Sequence, residues 1–128
     1  MSAPDKTSIR VVLAGRPELV EVLNKALHAP GIDVIASCTN RVQALAAIRQ
    51  ASPDVCIVDR ELAGGGLIAA AAAASPVPAP KVLVVGDQNA PAERRAARLA
   101  GAAAYLPRSS DAASFVAAVS QLGGKESS

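Results

Sequence analysis

The chain is nearly devoid of aromatic residues: one Tyr, one Phe and no Trp in 128 residues. A core of stacked rings is thereby excluded. The apolar half of the sequence has to pack as Val, Leu, Ile and Ala. Histidine is as scarce. The single His28 lies far in sequence from the two cysteines, Cys38 and Cys56, and the three lack metal-ligand spacing. Both cysteines fall in or beside apolar runs and read as buried, reduced thiols. The rim at the expected strand ends offers no Ser-His or Cys-His pair, so a small α/β enzyme is disfavoured. An excess of charge of one sign is missing: 13 basic residues face 11 acidic ones, a net +2. That balance does not by itself argue for nucleic acid, which usually needs a basic face. The longest weakly apolar stretch, Leu62–Ala74, is too short for a membrane span, rich in Gly and Ala, and broken by Ser75-Pro76. Met1–Ser8 is polar, contains Pro4 and Asp5, and does not read as a signal peptide. A cytoplasmic, soluble protein is expected, with a single core of sheet and helices.

What is present is an alternation. Five short apolar runs, Ile9–Ala14, Val34–Ser37, Val55–Val58, Val82–Val85 and Ala103–Leu106, are separated by helical patterns. The middle runs are nearly continuous in β-branched residues, as strands of a parallel sheet buried on both faces should be. Glu18–Ala29 places Leu19, Val20, Leu23 and Leu27 on one helical face, with Pro17 in its first turn and Pro30-Gly31 as its stop. Arg41–Ala51 follows Asn40 and is expected to bury Val42, Leu45 and Ile48. Leu67–Ala74 is a weak, alanine-rich helix that leads into the stiff connector Ser75-Pro76-Val77-Pro78-Ala79-Pro80. Ala92–Ala100 stops at Gly101. Asp111–Leu122, capped by Asp111 and stopped by Gly123-Gly124, turns Phe115, Val119 and Leu122 inward. The pattern predicts an α/β domain of (βα)5 type over residues 9–122: a doubly wound, five-stranded parallel sheet in the order 2-1-3-4-5. Residues 1–8 and 123–128 read as a flexible N-terminus and a flexible tail or the start of a linker.

In such a sheet the chemistry lies at the C-terminal ends of strands 1 and 3. Asp59 closes the run Val55-Cys56-Ile57-Val58-Asp59 at that place. A carboxylate there can accept a phosphoryl group or hold a metal, given further carboxylates, a hydroxyl and a lysine. The sequence instead supplies Gly15-Arg16 after the first strand, Gly86 after the fourth and Pro107-Arg108 after the fifth.

Taken in order, five segments resemble the response-regulator receiver domain, in particular receivers that precede NarL/LuxR-type helix-turn-helix output domains. They are Ile9-Arg10-Val11-Val12-Leu13-Ala14, Pro53-Asp54-Val55-Cys56-Ile57-Val58-Asp59, Leu62-Ala63-Gly64-Gly65-Gly66-Leu67, Lys81-Val82-Leu83-Val84-Val85 and Gly101-Ala102-Ala103-Ala104-Tyr105-Leu106. The resemblance implies a flavodoxin-like fold and a known chemistry. Two acids after strand 1 and the strand-3 aspartate hold Mg²⁺, and the aspartate takes a phosphoryl group from a kinase histidine. A Ser or Thr after strand 4 and a Lys after strand 5 then bind the phosphoryl oxygens. Here Asp59 stands at the phospho-acceptor position and Tyr105 at the switch aromatic. Gly15 and Arg16 replace the acidic pair, Gly86 the hydroxyl residue, and Arg108 the lysine. Hard cations want oxygen ligands, which Gly15-Arg16 does not bring, and Arg16 adds positive charge where the ion would lie. Asp87, beside Gly86, would repel a phosphoryl group.

The chain is therefore expected to be an atypical, degenerate receiver in which Asp59 is vestigial. No cofactor is expected, and Mg²⁺ binding should be weak or absent. It would be no enzyme, but a signalling module working through a protein partner or a homodimer. Its candidate dimer faces are the first helix, with Val22 and Ala26, and the last. A DNA-binding output domain would lie outside this chain. Arg16 is expected to pair with Asp59; the alternative has Arg16 in solvent or on Glu18, with Asp59 hydrated. Tyr105, if not a switch, would pack on its neighbouring helix with its hydroxyl in water. Arg94, Arg95 and Arg98 form either a solvated face or an interaction surface. Gly64-Gly65-Gly66 lacks the Lys-Ser/Thr of a phosphate loop, and His28 reads as a surface residue near a helix end. Two other functions stay open: a small-molecule sensor, using space left by Gly15, Gly86 and the alanine-rich helix, and a conventional phospho-acceptor at Asp59.

Overall fold

The computed structural model describes residues 8–51, 53–60, 80–86 and 91–123. In chain order these form β1 (Ile9–Ala14), α1 (Pro17–Ala26), β2 (Ile32–Cys38), α2 (Arg41–Ala51), β3 (Val55–Asp59), β4 (Lys81–Gly86), α3 (Pro91–Leu99), β5 (Ala104–Pro107) and α4 (Ala112–Gly123). The strands make one sheet in the order β2-β1-β3-β4-β5, and every neighbouring pair is parallel. The fold class and strand order expected from the alternation are thus those observed. The expected helix at Leu67–Ala74, the proline connector up to Ala79 and Gly64-Gly65-Gly66 lie outside the described residues.

Side chains alternate across the pleat, so the two faces of the sheet carry separate sets of residues. Val12, Ala14, Cys56, Val58, Val82, Val84 and Tyr105 face α2 and α3, and pack with Ala44, Ile48 and Ala97. Ile9, Val11, Leu13, Val55, Ile57, Leu83 and Val85 face α1 and α4, and pack with Leu19, Leu23, Phe115 and Val119. β3 is buried at every position, which explains why its sequence reads as an uninterrupted apolar run. Cys38 and Cys56 are free and buried on one face. Burial pushes the Cys56 thiol up to about 12, so it is inert as a nucleophile.

Several boundaries and contacts differ from expectation. β2 runs from Ile32, earlier than its apolar run suggests. As the edge strand it is only partly covered, and its register shifts between Val11 and Val12. In α2 the buried residues are Ala44 and Ile48, with Leu45 half-covered, whereas Val42 is 79% exposed. Ala44 and Ile48 lie four apart and define the inner stripe; Val42 stands outside it at helical spacing. The Asn40 carboxamide accepts from the Gln43 amide at 2.8 Å and caps this helix. The Asp111 carboxylate does the same for α4, accepting from the Ser114 amide at 2.9 Å. That bonding holds the exposed Asp111 carboxyl below the usual carboxylate range. α1 ends at Ala26, short of the expected Ala29, so His28 lies just beyond the helix and is exposed.

Gly123 is the buried last residue of α4 rather than a stop after it. A Cβ at Gly123 would lie 2.4 Å from Ile9 Cγ2 and 3.1 Å from Val55 Cγ2, so only a glycine lets the helix end meet the sheet. Helix propensity alone predicts that Gly123→Ala stabilises by up to about 1 kcal/mol. The contact predicts the reverse, a loss of about 1–2 kcal/mol by overpacking. A lowered urea midpoint at unchanged slope is the expected result, and a raised midpoint would contradict the packing.

Candidate functional site

The rim at the C-terminal ends of the strands divides into two halves, one on each face of the sheet. On the α1 side, β3 ends in Asp59, which pairs with Val85 in the neighbouring strand and is 1% exposed. Among the described residues it is the one buried charged group. A buried carboxylate is costly unless paired and hydrogen-bonded, and here β1 answers it. A Cβ at Gly15 would stand 2.7 Å from the Asp59 Cβ, so the glycine lets the backbone after β1 close over the acid. Arg16 follows with an extended backbone and serves as the N-cap of α1, its carbonyl accepting from the Val20 amide at 2.9 Å. Its own amide donates to Asp59 Oδ2 at 3.2 Å. Its guanidinium then turns back onto the same carboxylate. Nε donates to Oδ2 at 2.8 Å and Nη2 to Oδ1 at 3.3 Å. Both carboxylate oxygens are held, the acid sits at the positive end of α1, and Arg16 retains 32% side-chain exposure. The expected Arg16–Asp59 pair is therefore present, and the solvent-facing alternative is not.

The same geometry tests the fit of a magnesium ion. A hard cation at Asp59 needs several oxygen ligands. The two positions that would bring them are a glycine, which has no side chain, and an arginine whose guanidinium spans both Asp59 oxygens. The residues present do not fit Mg²⁺: a cation would have to displace a cation.

On the α3 side, Tyr105 pairs with Val84. Side chains two apart share a face and lean along the strand, so the ring lies over Gly86. A Cβ on Gly86 would fall 1.9 Å from the Tyr105 hydroxyl and 2.5 Å from Cζ. The phenol thus fills the volume that any side chain at position 86 would take. The Tyr105 hydroxyl donates to Glu93 Oε1 at 2.6 Å, and Glu93 Oε2 meets Arg60 Nε at 3.4 Å. The Arg94 guanidinium lies over the ring, 5.5 Å from its centroid. Tyr105 is 5% exposed and its hydroxyl is bonded to Glu93, which corrects the expectation of a hydroxyl in water. Burial first, then the Glu93 hydrogen bond and charge, push its phenol up to about 12; Arg60 and Arg94 oppose this.

The structure brings Gly15, Arg16 and Asp59 into one contact and Gly86 and Tyr105 into another. Arg108 is tied to the second by its backbone, its amide donating to the Gly86 carbonyl at 2.7 Å, while its side chain is exposed. Reading the sequence missed Glu93 and Arg60. Arg60 directly follows Asp59, and Glu93 is the acid in the first turn of a helix otherwise rich in arginine; those placements were the available signal. The space attributed to Gly15 and Gly86 is also corrected: Asp59 and Tyr105 fill it.

A doubly wound parallel sheet with a carboxylate at the tip of its central strand defines the class of three-layered α/β domains whose sites lie at the carboxyl ends of the strands. Comparison narrows it. The sequence profile described as the response regulator receiver domain matches residues 12–120, and the chain belongs to that family. Among solved structures it is similar to the receiver domain of the response regulator NarL from Mycobacterium tuberculosis. Identity is 27% and the TM-score 0.78, with 93% of this chain and 98% of that one covered. A LuxR-family two-component response regulator from Aurantimonas sp. SI85-9A1 is also 27% identical, at TM-score 0.74, over 93% of this chain and 88% of that one. The pilus assembly protein CpaE from Caulobacter crescentus shares the fold at 24% identity and TM-score 0.71, over 90% and 93% of the two chains. No curated protein matches.

Tyr105 is the sole tyrosine and tryptophan is absent, so near-ultraviolet absorbance reports this phenol with little interference. Its phenolate should form near pH 12 in the folded protein, against about 10 for a free tyrosine. Because the folded value is raised, the stability contributed by the neutral phenol is complete below about pH 10. It is lost as pH rises from there toward about 12. Gly86→Ala, which expels the ring from its seat, should bring the midpoint back toward about 10. A native midpoint near the free-tyrosine value would contradict the seat.

Proposed function

We propose that this receiver is atypical: it signals through protein contacts without Mg²⁺-dependent phosphorylation of Asp59 and carries out no reaction of its own. One observation carries the reading, the Arg16 guanidinium and amide on both oxygens of Asp59. In-line attack by a carboxylate on a phosphoryl group sets negative charge against negative charge, which a metal ion normally offsets. Here the attacking oxygens are already engaged. The replacement at Gly86 supports the same conclusion. A hydroxyl side chain that would follow a phosphoryl group is missing, and Tyr105 holds its volume.

The role that best suits such a domain is the regulatory part of a two-component transcription regulator of the NarL/LuxR type, working in the cytoplasm. Its similarity to the receiver of NarL and to a LuxR-family regulator supports this. Its DNA-binding output would lie outside these 128 residues. Partner choice would be exerted by a surface of fixed shape, engaging another protein or a second copy of the chain. The small-molecule reading loses support, since the volume at Gly15 and Gly86 is filled from within.

Beryllofluoride with Mg²⁺ is the direct test, read as amide chemical-shift changes at β3, β4 and β5. Wild type should show none at concentrations that saturate ordinary receivers, and acetyl phosphate should add no mass. Stoichiometric uptake abolished by Asp59→Asn would overturn the proposal and restore a conventional phospho-acceptor.

A further inference from the structure

β3 is the central strand, and its end carries two charged residues in succession, Asp59 and Arg60. Successive side chains of a strand point to opposite faces. Ile57 packs in the layer of α1 and α4, and Val58 in the layer of α2 and α3. Asp59 and Arg60 continue that alternation. Asp59 meets Arg16 at the start of α1, and Arg60 Nε meets Glu93 Oε2, in the first turn of α3, at 3.4 Å. Two neighbouring residues of opposite charge thus hold the starts of two helices on opposite sides of the sheet. The hold on α3 is shared with β5. Glu93 Oε1 accepts from the Tyr105 hydroxyl at 2.6 Å, and the Tyr105 ring is seated at Gly86. An isolated ion pair with 45% and 26% side-chain exposure contributes little. Here the carboxylate is positioned by a buried phenol, so one of the two side chains is ordered before the pair forms.

We propose that Arg60, Glu93 and Tyr105 form a latch that fixes the first turn of α3 to the rim, and that Arg60 couples this latch to the Arg16–Asp59 pair on the other face of the sheet. A shift of Asp59 cannot be confined to its own side. Its carboxylate and the Arg60 guanidinium hang from adjacent Cα atoms, about 3.8 Å apart across one planar peptide. The strand behind them is paired on both sides and buried throughout. Motion at its end is therefore taken up as a tilt of that peptide, which swings both side chains at once. Loosening Arg16 from Asp59 loosens Arg60 from Glu93 and releases the first turn of α3. Arg16 and Glu93 belong to helices in opposite layers, which leaves the strand end as the route between them. A disturbance of the acid then reaches α3 with no hydroxyl residue at position 86 and no phosphoryl group. The latch concerns how the rim transmits a change, and it does not depend on whether Asp59 accepts a phosphoryl group.

Native-state amide hydrogen exchange on the full chain tests it. Arg95, Ala96 and Ala97 of α3 are read against Leu45, Ala46 and Ala47 of α2, so that a change in global stability cancels. Arg60→Gln removes the charge of the latch. Glu93→Gln keeps an oxygen for the Tyr105 hydroxyl while losing the ion pair. Both side chains are partly exposed, so neither change opens the core. Each variant should speed α3 exchange at least fivefold, and the double variant should match the faster single one within about twofold, as one shared contact requires. Arg16→Lys keeps a positive charge on Asp59 but loses the paired geometry. It should speed α3 exchange at least fivefold in the otherwise native chain, and by less than about twofold when Arg60→Gln is already present. Unchanged α3 exchange in Arg60→Gln, or effects that multiply in the double variant, would overturn the latch. An Arg16→Lys effect of equal size in both backgrounds, or none in either, would overturn the coupling. Uptake of beryllofluoride by wild type would remove the phosphorylation-independent reading and leave these exchange ratios as they are.

Discussion

A carboxylate sealed at the tip of a fully buried strand needs its charge answered, and the layout of the rim follows from how Arg16 answers it. Asp59 is fixed by the strand that carries it, since β3 pairs on both sides and is covered on both faces. The chain after β1 must then come close enough for a backbone amide and a guanidinium to reach both oxygens. Gly15 permits that approach, and the extended backbone of Arg16 lets one residue cap a helix and neutralise an acid at once. Breaking such a pair by removing one partner costs several kcal/mol in favourable cases, because it leaves the other charge buried. Arg16 keeps a path to solvent while Asp59 does not, so the two truncations are not equivalent.

The second half of the rim repeats the logic with a different chemistry. Where receivers have a side chain at the end of the fourth strand, this chain has none, and the neighbouring strand's tyrosine moves into the vacancy. The hydroxyl then needs a partner at depth and finds Glu93, which in turn is balanced by Arg60. Two glycines thus have opposite consequences to those their small size suggests. Neither opens a pocket; each admits a large neighbour that closes one. On the proposed reading, the element that is bistable in a phosphorylated receiver would be held in a single arrangement, and the surface above it, including Arg94, would be presented in one form.

Much of this was legible in the sequence, for identifiable reasons. The β-branched runs and the alternation with helices define the sheet and its order, because parallel strands buried on both faces leave an uninterrupted apolar signature. The Arg16–Asp59 pair could be anticipated from two strand ends on one rim and the absence of other ligands for the acid. Val42 was misplaced because periodicity alone cannot tell which of two nearby stripes an alanine-rich helix turns inward. Gly123 was read as a stop because its packing partners, Ile9 and Val55, lie far away in sequence. The seat of Tyr105 was missed for the same reason: it depends on the register between Val84 and Tyr105, and register is a property of the assembled sheet.

The central claim is that Arg16 and Asp59 are energetically one unit, standing where an ion would otherwise stand. A double-mutant cycle over Arg16→Ala, Asp59→Ala and the pair measures this without reference to any partner, using urea unfolding at neutral pH. The account predicts a coupling of about 1–3 kcal/mol, with Arg16→Ala costing more than Asp59→Ala because it strands the buried charge. Addition of Mg²⁺ should leave wild type unchanged. Additive effects within about 0.5 kcal/mol, or a wild-type protein stabilised by millimolar Mg²⁺, would contradict it.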